Sequence, residues 1–335
     1  MNALTSASRC LVAALFFILG CGSSLAQTVV PEPSIGSWLA RTHEASRQRA
    51  YAGTFVVSSG GIMASAKIWH VCDGIQQMER VEALTGAPRS TFRHGDQVVT
   101  FLTESKVVVS QKRDALGSFP GLLKTSEVDV ANFYLLKEKG SERVAGFDAD
   151  VVQLAPKDRM RYGYRVWSEK KTGLVIQLQT LDMHGRVLEQ SAFSELQLDA
   201  PVEMGQLTAL MNNTAGYRVV HPDVQRVDPG AEGWAMRHLP DGFQSMACYR
   251  RPVGLDKTMG AANSSIQWVF SDGLATVSLF AEPFNVARHV REGALEGLGA
   301  THTLTRRAKD WWITAVGEVP PSTLIYFVEA LERKK

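Results

Sequence analysis

The pattern of apolar and polar positions changes its period early in the chain. The segment "SIGSWLARTHEASRQRAY" has its apolar residues on one helical face and Ser34 at the N-cap position, which predicts an amphipathic helix. The residues on that face are Ile35, Trp38, Leu39 and Thr42. From Tyr51 onward the period becomes two, as in "YAGTFVVSS" and "ASAKIWHVC". This predicts a helix followed by a long antiparallel meander.

The meander is interrupted once. The segment "GSFPGLLKTSEVDVANFYLLKEKG" predicts a Pro-Gly loop and then a short helical stretch near Val130 to Lys137. Farther along, "YRVWSEKKTGLVIQLQTLDMHGRVLEQ" (Tyr164 to Gln190) predicts three strands joined by two tight turns. Both segments are assigned to a first domain covering residues 33–203.

Residues 204–226 contain mixed turn formers without a sustained period, which is typical of a linker. The second domain, 227–335, opens with a strand, a Pro-Asp-Gly turn and a strand in "WAMRHLPDGFQSMACYRR". The "SDG" of "SIQWVFSDGLATVSLFAE" predicts a hairpin. The chain ends in a predicted helix with Pro321 in its first turn. Its buried stripe is Leu324, Phe327, Val328 and Leu331.

The first 26 residues have the features of a secretory signal peptide. Arg9 precedes the apolar run "LVAALFFILG", and small residues lead to a cleavage site after Ala26. A rival interpretation has Cys21 lipidated as the new N-terminus, although Leu19, two residues before this cysteine, makes a poor lipobox. No later segment is long and apolar enough to span a bilayer. The sequence therefore predicts an exported, soluble protein.

Charge argues against nucleic acid as a partner. Without the leader the chain has 35 basic and 34 acidic residues, so no dominant positive field attracts a polyanion. Two cysteines remain, Cys72 and Cys248. In an oxidising compartment they form either one disulfide bridge between the domains or two separate thiols, and the sequence leaves both alternatives open.

The motifs of common enzymes are missing from the sequence. It has no Gly-x-Ser-x-Gly elbow, no His-Glu-x-x-His helix and no Cys-x-x-Cys pair. His70 and Cys72, two apart on a strand, make only half a metal site, and a turn entering a strand explains Asp148 and Asp150. We therefore predict a protein that is not an enzyme, with no cofactor and no metal.

The predicted sheet carries many apolar side chains and has few helices to cover them. Either loops and the second domain fill the remaining space, or the sheet keeps a cavity for a lipid-like ligand. The pattern alone does not distinguish the two.

Several blocks resemble the RseB/MucB family of periplasmic sigma-E regulators. They begin with "YAGTFVV" and "MERVEALTGAPRS" and continue with "GSERVAGFDADVVQLAPKDRMRYGYRVWSEKKTGLVIQLQTLDMHGRVLEQSAFSEL". The second domain contributes "LPDGF", "FSDGLATVSLF" and "WWITAVGEVPPST". The blocks occur in the family's order and cover most of the chain from about Trp38 onward.

The resemblance implies an α+β protein. Its large N-terminal domain would be an unclosed antiparallel β-barrel with helices on its concave side, similar to the lipoprotein carriers LolA and LppX, and its smaller C-terminal domain would be α/β. It also implies a regulator that binds the periplasmic part of a membrane-bound anti-sigma factor such as RseA or MucA. The regulator would shield that partner from site-one proteolysis and release it on binding lipid, lipopolysaccharide or lipoprotein acyl chains. A lipoprotein or lipid carrier is the alternative, and a homodimer is left open.

The same resemblance suggests site residues. The lipid-pocket candidates are Phe55, Val57, Ile68 and Phe101 on strands, with Phe119, Leu122 and Leu123 in the loop "GSFPGLL". The partner-binding candidates are Trp268, Phe270, Arg250 and Arg251. For each aromatic residue taken singly, a place in the hydrophobic core is favoured over a partner contact, and an exposed arginine pair is usually part of a solvated surface.

Overall fold

The structure is a computed structural model that describes residues 34–112, 130–253, 264–295 and 299–334. All of these residues belong to one compact unit, Pro33–Lys335. The predicted loop residues Phe119, Leu122 and Leu123 lie outside the described residues, as does the leader.

Most of the strands join one large sheet. They are β1 (Tyr51–Ser59), β2 (Ile62–Cys72), β3 (Gln77–Ala83), β4 (Arg89–His94), β5 (Gln97–Leu102), β6 (Val107–Lys112), β7 (Tyr134–Val144), β8 (Phe147–Pro156), β9 (Gly163–Glu169), β10 (Val175–Leu181), β11 (Val187–Leu198) and β12 (Arg218–Val220). Their order is β12-β6-β5-β4-β3-β2-β1-β11-β10-β9-β8-β7. Neighbours run antiparallel except β12, which is parallel to β6. Because the end strands β12 and β7 do not pair with each other, the sheet is not closed into a barrel.

The remaining strands form a second sheet and a strand pair. The seven-stranded sheet contains β13 (Gln225–Arg226), β15 (Gln244–Pro252), β16 (Ser264–Ser271), β17 (Thr276–Pro283), β18 (Gly293–Leu295), β19 (His302–Ala308) and β20 (Trp311–Gly317). The pair is β14 (Trp234–Met236) with β21 (Leu331–Arg333). The predicted α+β class, a large unclosed sheet with a smaller second one, is confirmed.

Three α-helices lie in the described residues: α1 (Ile35–Gln48), α2 (Met204–Asn212) and α3 (Pro321–Ala330). Helix α1 begins as predicted, because Ser34 Oγ accepts a hydrogen bond from the Ser37 N–H at 3.1 Å. Pro321 occupies the first turn of α3, where its missing N–H has no intrahelical partner to lose. None of the described helices is long and apolar enough to cross a membrane.

Strand register divides the β1–β6 half of the large sheet into two faces. Paired residues point to the same side, and successive residues alternate. Gly53 pairs with Ile68, and the row continues through Val81, Thr91 and Thr100. We call the side that bears this row the Ile68 face. The opposite side bears Trp69, Arg80, Phe92 and Val99, and we call it the Phe92 face.

The two helices that pack on the large sheet cover opposite faces. Ala45 of α1 joins the hydrophobic cluster of Tyr51 and Ile68. Leu207 and Met211 of α2 join the cluster of Met78, Phe92 and Phe101. Helix α1 therefore lies on the Ile68 face and α2 on the Phe92 face.

Two segments differ from the sequence-based expectation. Near Val130 the helical stretch is a single 3-10 turn, Val130–Asn132, and β7 begins at Tyr134. The predicted linker 204–226 carries regular structure, because α2 packs on the large sheet and β12 extends its edge. The two-residue β13 at the end of that stretch already pairs with β15 of the smaller sheet.

Candidate functional site

The described residues place a fully buried ion pair between the large and the smaller sheet. Arg161, in the β8–β9 loop, has its Nη1 2.7 Å from Asp272 Oδ2, and neither side chain is exposed. Asp272 also accepts hydrogen bonds from the Tyr134 O–H at 3.0 Å and from the N–H groups of Leu274 and Ala275. Burial raises the pKa of Asp272, whereas Arg161 and these hydrogen bonds act to lower it. A buried carboxylate with this many donors is well satisfied.

Aromatic rings surround the Arg161 guanidinium. Its Cζ lies 4.7 Å from the ring centre of Phe133, 5.7 Å from that of Tyr134 and 5.2 Å from that of Phe243. Arg161 Nη2 also donates to the carbonyl oxygen of Asp241. The "LPDGF" loop of the second domain is therefore held against the β8–β9 loop of the first.

The Ile68 face holds three of the predicted lipid-pocket residues together. Phe55 and Val57 alternate along β1, and Ile68 lies on β2. Phe55 and Val57 are half-buried, while Ile68 is completely buried. Val81 extends the apolar part of this face onto β3, whereas Thr91 and Thr100 on β4 and β5 add two hydroxyl groups that lie 3.3 Å apart.

The fourth predicted strand residue, Phe101, lies on the other face. It pairs with Ser90, one residue away from the Thr91–Thr100 pair, and therefore points to the Phe92 face. There it packs edge to face on Phe92, with ring centres 5.6 Å apart, under α2. Phe101 is thus a core residue of the α2 side and not part of the Ile68 face.

A row of polar residues crosses one end of the Ile68 face, which the sequence analysis did not identify. Tyr51, His70, Glu79 and Arg93 pair in register on β1, β2, β3 and β4. His70 is buried and stacks on Tyr51, with ring centres 4.8 Å apart. Arg93 Nη1 lies 3.5 Å from Glu79 Oε1. The period-two pattern predicted the strands that carry these residues. It could not show that the four residues are neighbours, because that depends on the register between the strands.

On the Phe92 face, α2 and the following loop border an open cavity of about 350 Å³. Phe92, Phe101 and Tyr217 supply aromatic lining, and Arg80 and Arg89 supply positive charge. Arg80 is held by Glu82, at 2.8 Å, and stacks over Trp69 and Phe92. These contacts give the Arg80 guanidinium a structural role in the packing of the Phe92 face.

The structure does not support the two aromatic partner-binding candidates. Trp268 is 7% exposed and Phe270 is not exposed at all, because β16 is an interior strand of the smaller sheet whose residues are buried on both sides. They belong to the core with α3. Arg250 forms an ion pair with Glu232, and Arg251 Nη1 donates to Gln267 Oε1 at 2.7 Å. A partner contact by these two arginines stays a prediction.

Both cysteines are free thiols. Cys72 ends β2 of the large sheet and is half-buried, whereas Cys248 is buried in β15 of the smaller sheet. The sequence left open a disulfide bridge or two separate thiols, and in the structure the two thiols are separate. Burial raises the pKa of the Cys248 thiol to about 12. Within the described residues, no three His, Cys, Asp or Glu side chains are grouped so as to hold a metal ion.

Comparisons with known proteins agree with this architecture. The family model of the MucB/RseB N-terminal domain matches residues 34–211, and that of the MucB/RseB C-terminal domain matches residues 228–332. The Pseudomonas aeruginosa sigma factor AlgU regulatory protein MucB is 30% identical over 314 residues, covering 91% of this chain and 93% of the relative. The Salmonella typhimurium sigma-E factor regulatory protein RseB is 24% identical over 329 residues, covering 96% of each chain.

Solved structures match over nearly the whole length. A crystal structure of MucB in complex with MucA(peri) aligns with a TM-score of 0.66 and 25% identity, covering 90% of this chain and 100% of that chain. The Pseudomonas aeruginosa MucA/MucB complex aligns with a TM-score of 0.65 and 27% identity, covering 89% and 98%. The resemblance read from the sequence motifs is thereby confirmed, and the chain belongs to the MucB/RseB family.

Proposed function

We propose that this protein is a periplasmic regulator that binds the periplasmic segment of a membrane-bound anti-sigma factor. The observation that carries the proposal is the match to a MucB chain solved with MucA(peri), which extends over all of that chain and 90% of this one. This chain therefore has counterparts of both domains of that MucB chain. The relatives are named as regulators of sigma factors, which supports a role in binding without a catalytic step.

Binding would protect the anti-sigma factor from site-one proteolysis, and an amphiphile would release it. The Ile68 face supports this second part, because Phe55, Val57 and Val81 are apolar and only half-buried. A ligand that prefers the partner-free protein must weaken partner binding by the factor by which the partner weakens ligand binding. Release then needs no chemical reaction.

Partner binding is tested with the mature protein, from residue 27 onward, and the periplasmic segment of the anti-sigma factor from the same organism. Calorimetry measures their affinity, and we expect the complex to remain intact during gel filtration. We also expect the segment to be digested more slowly by its site-one protease when the regulator is bound. A segment digested equally fast with and without the regulator would remove the protective role. N-terminal sequencing of the exported protein checks the predicted cleavage after Ala26.

The release arm uses the same titration repeated with a saturating single-chain amphiphile below its micelle concentration. Allosteric coupling typically changes affinity by about 5- to 150-fold. We therefore expect the dissociation constant of the partner to rise by at least about tenfold. An unchanged constant, with ligand binding shown independently, would leave a partner-binding protein that does not sense amphiphiles.

A further inference from the structure

A second row of polar side chains crosses the large sheet near the β1–β2 hairpin. Tyr164 on β9 pairs with Thr180 on β10. Thr180 also pairs with Glu189 on β11, which in turn pairs with Ser59 on β1. Because paired residues point to the same side of a sheet, these side chains are neighbours. Ser59 Oγ donates a hydrogen bond to Glu189 Oε2 at 3.1 Å, and we call this set the Tyr164 row.

The smaller sheet lies against both ends of the Tyr164 row. Two residues before Tyr164, the hydroxyl oxygen of Tyr162 lies 2.9 Å from His302 Nε2. At the other end, the backbone of Gly299 is so close that a Cβ added there would lie 1.7 Å from Ser59 Oγ. The row therefore belongs to the contact between the two domains.

Glu318 brings a second carboxylate to this contact. It follows Gly317 at the end of β20, where Gly317 pairs with His302. Burial raises the pKa of Glu318 and the charge of Glu189 raises it further, so the two carboxylates are close to each other. Within the described ranges, neither carboxylate forms an ion pair with a basic side chain. Part of Glu318 remains exposed, so an ion from solvent can reach it.

The Tyr164 hydroxyl lies at the buried end of the same space. Only 6% of Tyr164 is exposed, and its hydroxyl is shielded from solvent without a hydrogen-bond partner among the residues that the structure describes. Burial raises the pKa of Tyr164, and the charge that adds most to this effect is that of Glu318. Buried hydroxyl groups normally bond to protein, ordered water or a ligand. A hydrated ion held by the carboxylates would supply that partner.

We propose that Glu189 and Glu318 bind a hydrated divalent cation, Ca²⁺ or Mg²⁺, between the two domains. Both ions prefer oxygen ligands, and both keep bound waters where the protein supplies only one or two carboxylates. One of these waters donates to the Tyr164 hydroxyl oxygen. The ion neutralises two carboxylates whose mutual repulsion otherwise disfavours the contact between the domains.

This chemistry differs from that of the metal motifs considered in the sequence analysis. Glu189 and Glu318 are far apart in the chain, so no local spacing reveals them. Two carboxylates without His or Cys do not favour a transition metal, and they also fall short of a three-ligand group. We therefore expect weak binding, with a dissociation constant of about 10⁻⁴–10⁻³ M, as in extracellular calcium modules.

Thermal unfolding of the full mature protein tests the proposal, first in EDTA and then with CaCl₂ or MgCl₂. At about 10 mM of the ion, at least ten times this dissociation constant, we expect the melting temperature to rise by about 2–4 °C. NaCl at equal ionic strength should not produce this rise. Calorimetry with each ion measures the two affinities, and the tighter ion is the one that the site selects.

Glu318→Gln removes a ligand and also the repulsion between the carboxylates. In EDTA near pH 7 this variant should be at least as stable as the wild type, whereas the rise with the ion should be lost. Glu189→Gln should weaken binding by at least about tenfold, the factor that corresponds to one charged contact. Tyr164→Phe keeps the ring and should weaken binding less, because the hydroxyl reaches the ion only through water. Glu104→Gln is the matched control on the exposed β5–β6 turn and should keep the full rise.

A wild type that neither ion stabilises overturns the proposal. An equal rise in the wild type and in Glu318→Gln also overturns it, because the ion then binds elsewhere. If acidification stabilises the wild type and the ions do not, the two carboxylates share a proton, and the cation site is again excluded. These measurements involve neither the anti-sigma segment nor an amphiphile, so their outcome leaves the proposed function to its own tests.

Discussion

Arg161 and Asp272 are 111 residues apart in sequence and form a 2.7 Å ion pair in which neither side chain is exposed. The pair joins the β8–β9 loop of the large sheet to the β16–β17 turn of the smaller one. Because the Tyr134 hydroxyl also donates to Asp272, the start of β7 belongs to the same contact. This buried charge cluster therefore helps to fix the mutual position of the two sheets, together with the hydrogen bonds between Thr323 Oγ1 and the Met160 carbonyl oxygen and between Tyr162 and His302.

Replacing Arg161 should strongly destabilise the protein. Arg161→Met leaves the Asp272 carboxylate buried without its cation, and loss of one partner of such a pair costs about 3–5 kcal/mol. Urea denaturation measures the change in the free energy of unfolding. The double variant Arg161→Met/Asp272→Asn should lose less than the sum of the two single variants, because it removes both charges.

The control is a surface pair. Arg49 lies 3.2 Å from Asp199, with side chains 39% and 73% exposed, so Asp199→Asn should cost about 1 kcal/mol or less. If Arg161→Met costs no more than Asp199→Asn, the buried cluster does not hold the two sheets together.

Gly242 tests the same contact through the backbone. Its φ is +83°, and a Cβ added there would lie 2.6 Å from Cε2 of Phe133, one of the rings around Arg161. Gly242→Ala therefore combines a left-handed backbone with a clash. Gly86→Ala, with φ +75° and open space, has only the backbone penalty of about 1–2 kcal/mol. Gly242→Ala should cost about 1–3 kcal/mol more.

Adding Phe133→Ala to Gly242→Ala removes the clashing ring. If the clash is real, the stability loss of the double variant should be smaller than the sum of the two single losses, as read from denaturation midpoints. Equal losses in Gly242→Ala and Gly86→Ala would show that the loop moves away from Phe133 without cost.

The sequence predicted elements where local signals agree. Ser34 before an amphipathic run marked α1, and Pro321 ahead of an apolar stripe marked α3. The prediction of a helical stretch was wrong near Tyr134, where Tyr134, Leu135 and Leu136 are consecutive apolar residues. A short run of this kind fits a helix or a strand, and pairing with β8 decides it. The signal for α2 was the apolar spacing of Met204, Leu207 and Met211 within nine residues, without a side-chain N-cap, which is too short to distinguish a helix from a linker.

The sites were harder to predict because faces depend on register. In "QVVTFL" the buried residues Val98, Val99 and Phe101 fall on both faces of β5, so hydrophobicity does not reveal which face Phe101 occupies. Trp268 and Phe270 were indistinguishable from surface anchors until β16 proved to lie inside its sheet. The partnership of Arg161 with Asp272 has no local signal at all, because the fold brings the two together.

The two thiols should differ in reactivity. Burial holds the pKa of Cys248 at about 12, so this thiol stays protonated and inaccessible near pH 8. Cys72 is half-buried at the end of β2, and iodoacetamide should modify it first. Peptide mass spectrometry of the native protein should find one alkylated cysteine, and of the denatured protein, two. If neither cysteine of protein purified from the periplasm is alkylated after denaturation without reductant, Cys72 and Cys248 are instead joined by a disulfide bridge.

Phe55 and Phe101 should separate ligand binding from stability. Phe101 is 7% exposed and packed between Phe92 and Tyr217, so Phe101→Ala should lower the free energy of unfolding by about 3–5 kcal/mol. Because it lies on the Phe92 face, the folded variant should bind dodecyl phosphate like the wild type. Phe55→Ala removes a half-buried ring from the Ile68 face and should weaken that binding at a smaller cost in stability. Fluorescence titration and urea denaturation on the same samples measure both quantities, and weaker binding in Phe101→Ala alone would move the amphiphile to the side of the sheet that α2 covers.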